Sequence, residues 1–156
     1  SIARRQRQMC IRDRLDGVHD DLKRVVLRAI EITPNDFTVL EGLRGLERQE
    51  QLVAEGASRT MNSRHLTGHA VDLGVLSGRQ VSWHWPHYFA LAETMKTAAA
   101  ECGVSVEWGG AWGRCLADYP DPAAASAQYV AERRAIGRLA FIDGPHFQLP
   151  WGSYPA

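Results

Sequence analysis

Leu22, Val25, Val26, Ala29 and Ile30 follow the one-face spacing of a helix, and a few residues later "FTVLEG" reads as a short β-strand. That change of period constrains the fold most, because one short chain must pack helices and strands together. Asp20 or Asp21 can cap the helix start. Thr33-Pro34-Asn35-Asp36 breaks it. Downstream, "LERQEQLVAEG" reads as a helix with Gly56 as its stop, and "HAVDLG" as a short strand bounded by glycines. "PHYFALAETMKTAAAECG" is the clearest helix, with Pro86 in its first turn and Gly103 at its end. "VSVEW" and "HFQLP" suit strands, and "DPAAASAQYVAERRAIG" suits a further helix. Helices and strands mix without regular βαβ alternation, which predicts the α+β class.

At 156 residues the chain is expected to form one domain with a real core. Lys plus Arg and Asp plus Glu both number 18, so the formal charge is zero. This removes the usual electrostatic argument for nucleic acid or an anionic membrane as partner. There is no apolar run near the length of a membrane span. Cys10, Cys102 and Cys115 are an odd set without CxxC spacing, which argues against a disulfide framework or a cysteine metal site. The opening "SIARRQRQMCIRDR" is rich in Arg and Gln and lacks a period. It reads as a poorly packed arm over residues 1–14, with "QMCIRDR" resembling translated adapter sequence. The folded domain is expected from residue 15 to 156. The basic start has no apolar segment behind it, so it is not read as a secretory signal.

"SRHLTGHAVDLG" concentrates the chemistry: two histidines, an aspartate and two glycines between Ser63 and Gly74. On a helix, His65 and His69 would share a face and could hold one metal ion. Gly68 and β-branched Val71 make that helix poor. His65 and Asp72 would lie about 10.5 Å apart along a helix axis and roughly 23 Å apart along a strand. They meet only if the chain reverses between them, which Gly68 permits. By spacing alone the helical His–His pair and the turned His–Asp pair stand level, beside a reading with no metal.

"FIDGPHFQLP" sets Asp143 three residues before His146, in a tight loop entering a strand. Two histidines and one carboxylate around zinc leave a fourth position for water, whose pKa can fall to about 7. A further carboxylate that is not a ligand can then move the proton to a leaving amine.

The motif Ser63-x-His65-x-x-Gly68-x-Ala70-x-Asp72, followed by Asp143-x-x-His146, resembles the zinc D-Ala-D-Ala carboxypeptidase and L-alanyl-D-glutamate peptidase family. "GVHDDL", "FTVLEGLRGLERQ", "SWHWPHYFALAETMKTAA" and "VEWGGAW" also match phage members in order, covering nearly the whole chain from about Leu15. The resemblance implies a small central antiparallel sheet flanked by helices, the Hedgehog/D-Ala-D-Ala-peptidase-like architecture. It implies one Zn²⁺ held by His65, Asp72 and His146, and Asp143 as catalytic acid/base. Arg44 matches an arginine that faces substrate, as a catalytic or clamping group. Its plain alternative is an ion pair with Glu41 or Glu47. Ser63 and Gln49 are further substrate-binding candidates. Glu107 is a rival base.

His84, Ala111 and Gly45 depart from the family pattern and bear on substrate preference more than on chemistry. Gly113 to Ile142 is longer than in short relatives and suits a lid or a cleft wall. His19, His69, His84 and His87 are read as structural or exposed, and Trp83, Trp85, Trp108 and Trp112 as core or cleft walls.

The implied activity is hydrolysis of peptidoglycan stem peptides. The aspartate at 143 favours an L-alanyl-D-glutamate endopeptidase acting as a phage or prophage endolysin. Such an enzyme is expected to be a monomer, without nucleic-acid or membrane partners, cytoplasmic until released to the wall at lysis. The alternatives are a D-Ala-D-Ala carboxypeptidase of the same family and a catalytically silent zinc domain that binds wall peptides.

Overall fold

A computed structural model describes residues 2–155. The chain begins with helix α1 (Ile2–Arg14), followed by α2 (Asp20–Ile32), strand β1 (Phe37–Glu41) and α3 (Leu46–Ala54). A 3-10 turn at Arg64–Thr67 leads into β2 (Ala70–Ser77) and the two-residue β3 (Gln80–Val81). Then come α4 (Trp85–Cys102), β4 (Glu107–Trp108), a 3-10 turn at Leu116–Asp118, α5 (Pro122–Ala135) and β5 (His146–Gln148). The α+β class and the small antiparallel sheet stand as expected.

Every strand pairing is antiparallel, in the order β1-β2-β5-β4, with β3 folded back on β2. β2 is therefore flanked by β1 on one side and β5 on the other. Its register places Asp72 opposite Glu41 of β1 and opposite His146 of β5. The pairing with β1 slips between Val39 and Glu41, which re-aims the chain just before the Gly42–Gly45 loop. β2 runs past Gly74, where the sequence suggested a boundary. A Cβ there would meet the Leu40 side chain at 2.9 Å, so the glycine accommodates a neighbour on β1 rather than ending the strand.

The core lies between the sheet, α2 and α4. Leu22, Val25, Val26, Ala29 and Ile30 are all fully buried, and α2 packs directly on α4. Burying each of the larger ones contributes about 1.5–3 kcal/mol. The cap of α2 differs from expectation: His19 is the N-cap, its Nδ1 accepting the Asp21 N–H, while Asp20 and Asp21 occupy the first turn. "VSVEW" forms a strand only at Glu107–Trp108.

Residues 2–14, read from the sequence as an arm, form α1, with Ile11 fully buried against the core. Arginines that hide the apolar period in the sequence hold the helix down. Arg4 donates to the carbonyls of Ile30, Glu31 and Thr33, and Arg14 to Thr38 Oγ1 and Val39 O. No helix among the described residues is long and apolar enough to cross a membrane.

Candidate active site

Gly68 is the hinge of the site. It closes the 3-10 turn in the left-handed region, with φ +74°. A Cβ on it would lie 2.2 Å from the Gly17 carbonyl oxygen, so only glycine fits. Its own carbonyl accepts the His19 N–H at 2.8 Å. The chain thus reverses between His65 and Asp72, and the turned pair prevails over the helical one.

His65 comes from the 3-10 turn, Asp72 from the central strand, and His146 from the neighbouring strand, directly across from Asp72. One donor atom from each lies within 4.8 Å of the others, and among the described residues this trio is the group so arranged. His65 Nε2 is 3.3 Å and His146 Nδ1 3.1 Å from the same oxygen, Asp72 Oδ1. Donors about 2.1 Å from a tetrahedral ion are about 3.4 Å apart, so these spacings suit a metal. His69 takes no part. Its Nδ1 is 2.7 Å from Thr67 Oγ1, and its ring lies beside that of His19.

The tautomers support the same assignment. His65 Nδ1 is 2.9 Å from the Gly42 carbonyl and donates to it, which leaves a lone pair on Nε2. That Nε2 is buried and has no hydrogen-bond partner. His146 Nε2 donates to Gln148 Oε1 at 2.8 Å, turning Nδ1 toward Asp72. A carbonyl or amide oxygen behind each ligating imidazole is the usual way a metal site orients its histidines. Burial alone would raise the Asp72 carboxyl, but the His146 and His65 rings beside it outweigh burial and hold it well below the usual carboxylate range. Burial likewise disfavours charge on His146, yet Asp72 more than compensates and raises the imidazole above its ordinary value. A proton on Nδ1 there does the work a metal cation would do, and a metal ion replaces such a proton on binding.

Asp143 lines the same cleft. Its backbone N–H donates to the Gly109 carbonyl, and its own carbonyl accepts the His146 N–H. Gly109 allows this approach: a Cβ on it would lie 2.3 Å from the Asp143 carbonyl oxygen. Burial, with the Asp72 charge second, pushes the Asp143 carboxyl above the ordinary aspartate value. A carboxyl raised in this way holds a proton more readily than an ordinary aspartate, which suits an acid/base role. Glu107 is elsewhere. It accepts the Gly113 N–H and does not line the cleft.

Arg44 also reaches the cleft, but its guanidinium is engaged. It forks onto Glu41 at 2.8 and 2.6 Å, donates to Gln49 Oε1 at 2.7 Å and to Ser63 Oγ at 3.4 Å, and lies 3.7 Å from Asp72 Oδ2. Through these contacts Arg44 braces Glu41 and Asp72, and the ion pair with Glu41 is the arrangement found. Gln49, expected to bind substrate, is fully buried and does not line the cleft. Its amide ties Arg44 to Ser58 Oγ and the Thr60 carbonyl. Ser63 lines the cleft and caps the 3-10 turn by accepting the His65 N–H.

The cleft has a volume of about 360 Å³. Trp112 and Phe141, at the two ends of the long 113–142 stretch, form one wall, joined by a Trp112 Nε1–H bond to the Phe141 carbonyl at 2.8 Å. Of that stretch Phe141 lines the cleft, while α5 within it packs against α4. Trp108 is core, Trp83 is exposed, and Trp85 covers Gly144. Among the departures, Ala111 is buried, Gly45 is the N-cap of α3, and His84 is the exposed N-cap of α4. Gln148 was not anticipated as a site residue. Its position two after His146 on one strand puts it on the same face, a signal that period-two alternation carries.

A family model for phage L-alanyl-D-glutamate peptidase matches residues 7–149. The chain is 30% identical to the L-alanyl-D-glutamate peptidase of Escherichia phage T5 over 111 residues, covering 69% of this chain and 80% of the relative. It is 28% identical to the L-alanyl-D-glutamate peptidase of Listeria phage A118 over 119 residues, which span 76% of this chain and 32% of that longer protein. The crystal structure of an L-Ala D-Glu endopeptidase from Serratia marcescens superposes with a TM-score of 0.75 at 39% identity, covering 96% of this chain and 92% of that one.

Proposed function

The chain belongs to the phage L-alanyl-D-glutamate peptidase family, and from that premise we propose that it is a zinc peptidase cutting the L-alanyl–D-glutamyl bond of the peptidoglycan stem. His65, Asp72 and His146 would hold one zinc ion. The observation that carries this reading is the buried, unpartnered His65 Nε2 aimed at Asp72 Oδ1, with His146 Nδ1 turned to the same oxygen. Two ring nitrogens converging on one carboxylate oxygen form a donor set suited to a cation.

When bound, zinc supplies Lewis acidity and lowers the pKa of water at the site to about 7. Asp143 supplies the proton traffic. Its carboxylate takes a proton from the attacking water, and the resulting acid delivers one to the departing D-glutamyl amine. Its raised pKa narrows the gap between these two tasks. Arg44 positions Asp72 through Oδ2, while Gln49 and Ser63 keep Arg44 and His65 in place. The enzyme acts as a monomeric phage or prophage endolysin, held in the cytoplasm until lysis gives it access to the wall.

The test is digestion of purified peptidoglycan with zinc-loaded protein, followed by mass analysis. New N-terminal D-glutamate supports the reading. Release of free D-alanine instead assigns carboxypeptidase activity, and binding without products assigns a silent wall-peptide domain.

A further inference from the structure

Three guanidiniums line the cleft: Arg44, Arg59 and Arg64. Two are committed to the protein. Arg44 is forked onto Glu41. Arg64 donates to the carbonyls of Leu149 and Tyr154 and lies over the Trp151 ring, with its remaining Nη1 sealed from solvent. Arg59 differs. It is exposed, and its guanidinium lies over the Phe141 ring, whose centroid is 4.6 Å from Cζ.

That contact joins two segments of the cleft lining. Arg59 belongs to the 57–60 wall, and Phe141 to the wall formed with Trp112. A guanidinium held over a ring is attracted by the ring face and keeps its in-plane N–H fork for a carboxylate. The ring also restrains a long side chain that would otherwise lose rotamer freedom on binding.

A D-glutamyl residue on the leaving side of the scissile bond joins the chain through one carboxyl. Its other carboxyl is free unless amidated, and it lies only a few bonds from the scissile nitrogen. We propose that Arg59, held by Phe141, is the specificity-determining residue that receives this free glutamyl carboxylate and so distinguishes acidic from amidated stem peptides. The proposal rests on the peptidase reading above and names the part of the substrate that reading leaves open.

Two synthetic stem peptides test it, identical except that the free glutamyl carboxyl is carboxylate in one and carboxamide in the other. kcat/KM is measured on both with the zinc-loaded wild type, Arg59→Ala, Arg59→Gln and Phe141→Ala. A charge-assisted fork predicts that the wild type favours the carboxylate by about tenfold. Both Arg59 variants bring the ratio close to one, through a higher KM on the carboxylate peptide. Phe141→Ala reduces the ratio in part. A wild-type ratio near one overturns the proposal, as does an Arg59→Ala enzyme that keeps the preference. If the wild type cleaves neither peptide at the alanyl–glutamyl bond, the peptidase reading itself fails and this inference goes with it.

Discussion

Replacing Gly68 by alanine tests the turn on which the site depends. Two costs follow from the structure. A non-glycine residue at φ +74° loses about 1–2 kcal/mol relative to its preferred conformations. The new Cβ would lie 2.2 Å from the Gly17 carbonyl, about 1 Å inside ordinary contact, so one of the two backbones must move. That movement weakens the 2.8 Å bond from the His19 N–H to the Gly68 carbonyl, worth about 1 kcal/mol. Together these give a loss of roughly 2–3 kcal/mol, near the upper range for a single substitution. For a domain of this size that lowers Tm by about 4–12 °C. Urea unfolding read by tryptophan fluorescence measures it, with Gly152→Ala as the control. Gly152 has nothing within 4 Å of a built Cβ, and its substitution should change stability by less than about 0.5 kcal/mol. A Gly68→Ala protein within 1 kcal/mol of wild type would refute the claim that this turn requires glycine.

Asp143→Asn should bind zinc normally while kcat falls by about 10²–10⁴, as expected on removing a general base; zinc analysis beside muralytic assays checks both. Gln49→Leu strands the Arg44 Nη1 donor and frees the 58–60 segment, which should cost about 2–3 kcal/mol in chemical denaturation. The Asp21 carboxyl, held below its usual value by the Tyr154 hydroxyl and then Arg24, supplies a pH-dependent increment of stability. Because its folded pKa is depressed, that increment is present above the unfolded value of about 3.9 and is lost as pH falls through the folded value. The difference in urea midpoint between wild type and Tyr154→Phe should therefore shrink as pH is lowered below about 4, and a constant difference from pH 7 to 3 would contradict it.

Much of the scaffold was legible because single elements declare themselves locally. The face of α2 is a one-stripe pattern, and α4 is bracketed by Pro86 and Gly103. Helix α1 was not legible, since side-chain bonds from Arg4 and Arg14 hold it and only Ile11 is buried within it. Such contacts depend on partners more than twenty residues away. Spacing alone left His65–His69 and His65–Asp72 undecided, because the deciding fact is a contact between Gly68 and the distant Gly17 carbonyl. Likewise, the pairing of β2 with β5 that sets His146 against Asp72 is a long-range choice. The groups behind the histidines divide the same way. Gln148 follows from strand alternation, whereas the Gly42 carbonyl that orients His65 is a backbone atom no side-chain pattern marks. The bond that ties Arg44 to Gln49 was equally illegible, because nothing in their spacing announces it.

Metal binding by the intact protein tests the central claim most directly. Zinc content and affinity are measured by elemental analysis and competition with a chromophoric chelator, for the wild type, His65→Ala, His146→Ala and His69→Ala. The account predicts one zinc per chain, affinity lowered at least tenfold by loss of either ligand histidine, and His69→Ala indistinguishable from wild type. A His69→Ala protein that loses its zinc while His146→Ala keeps it would contradict the site built from His65, Asp72 and His146.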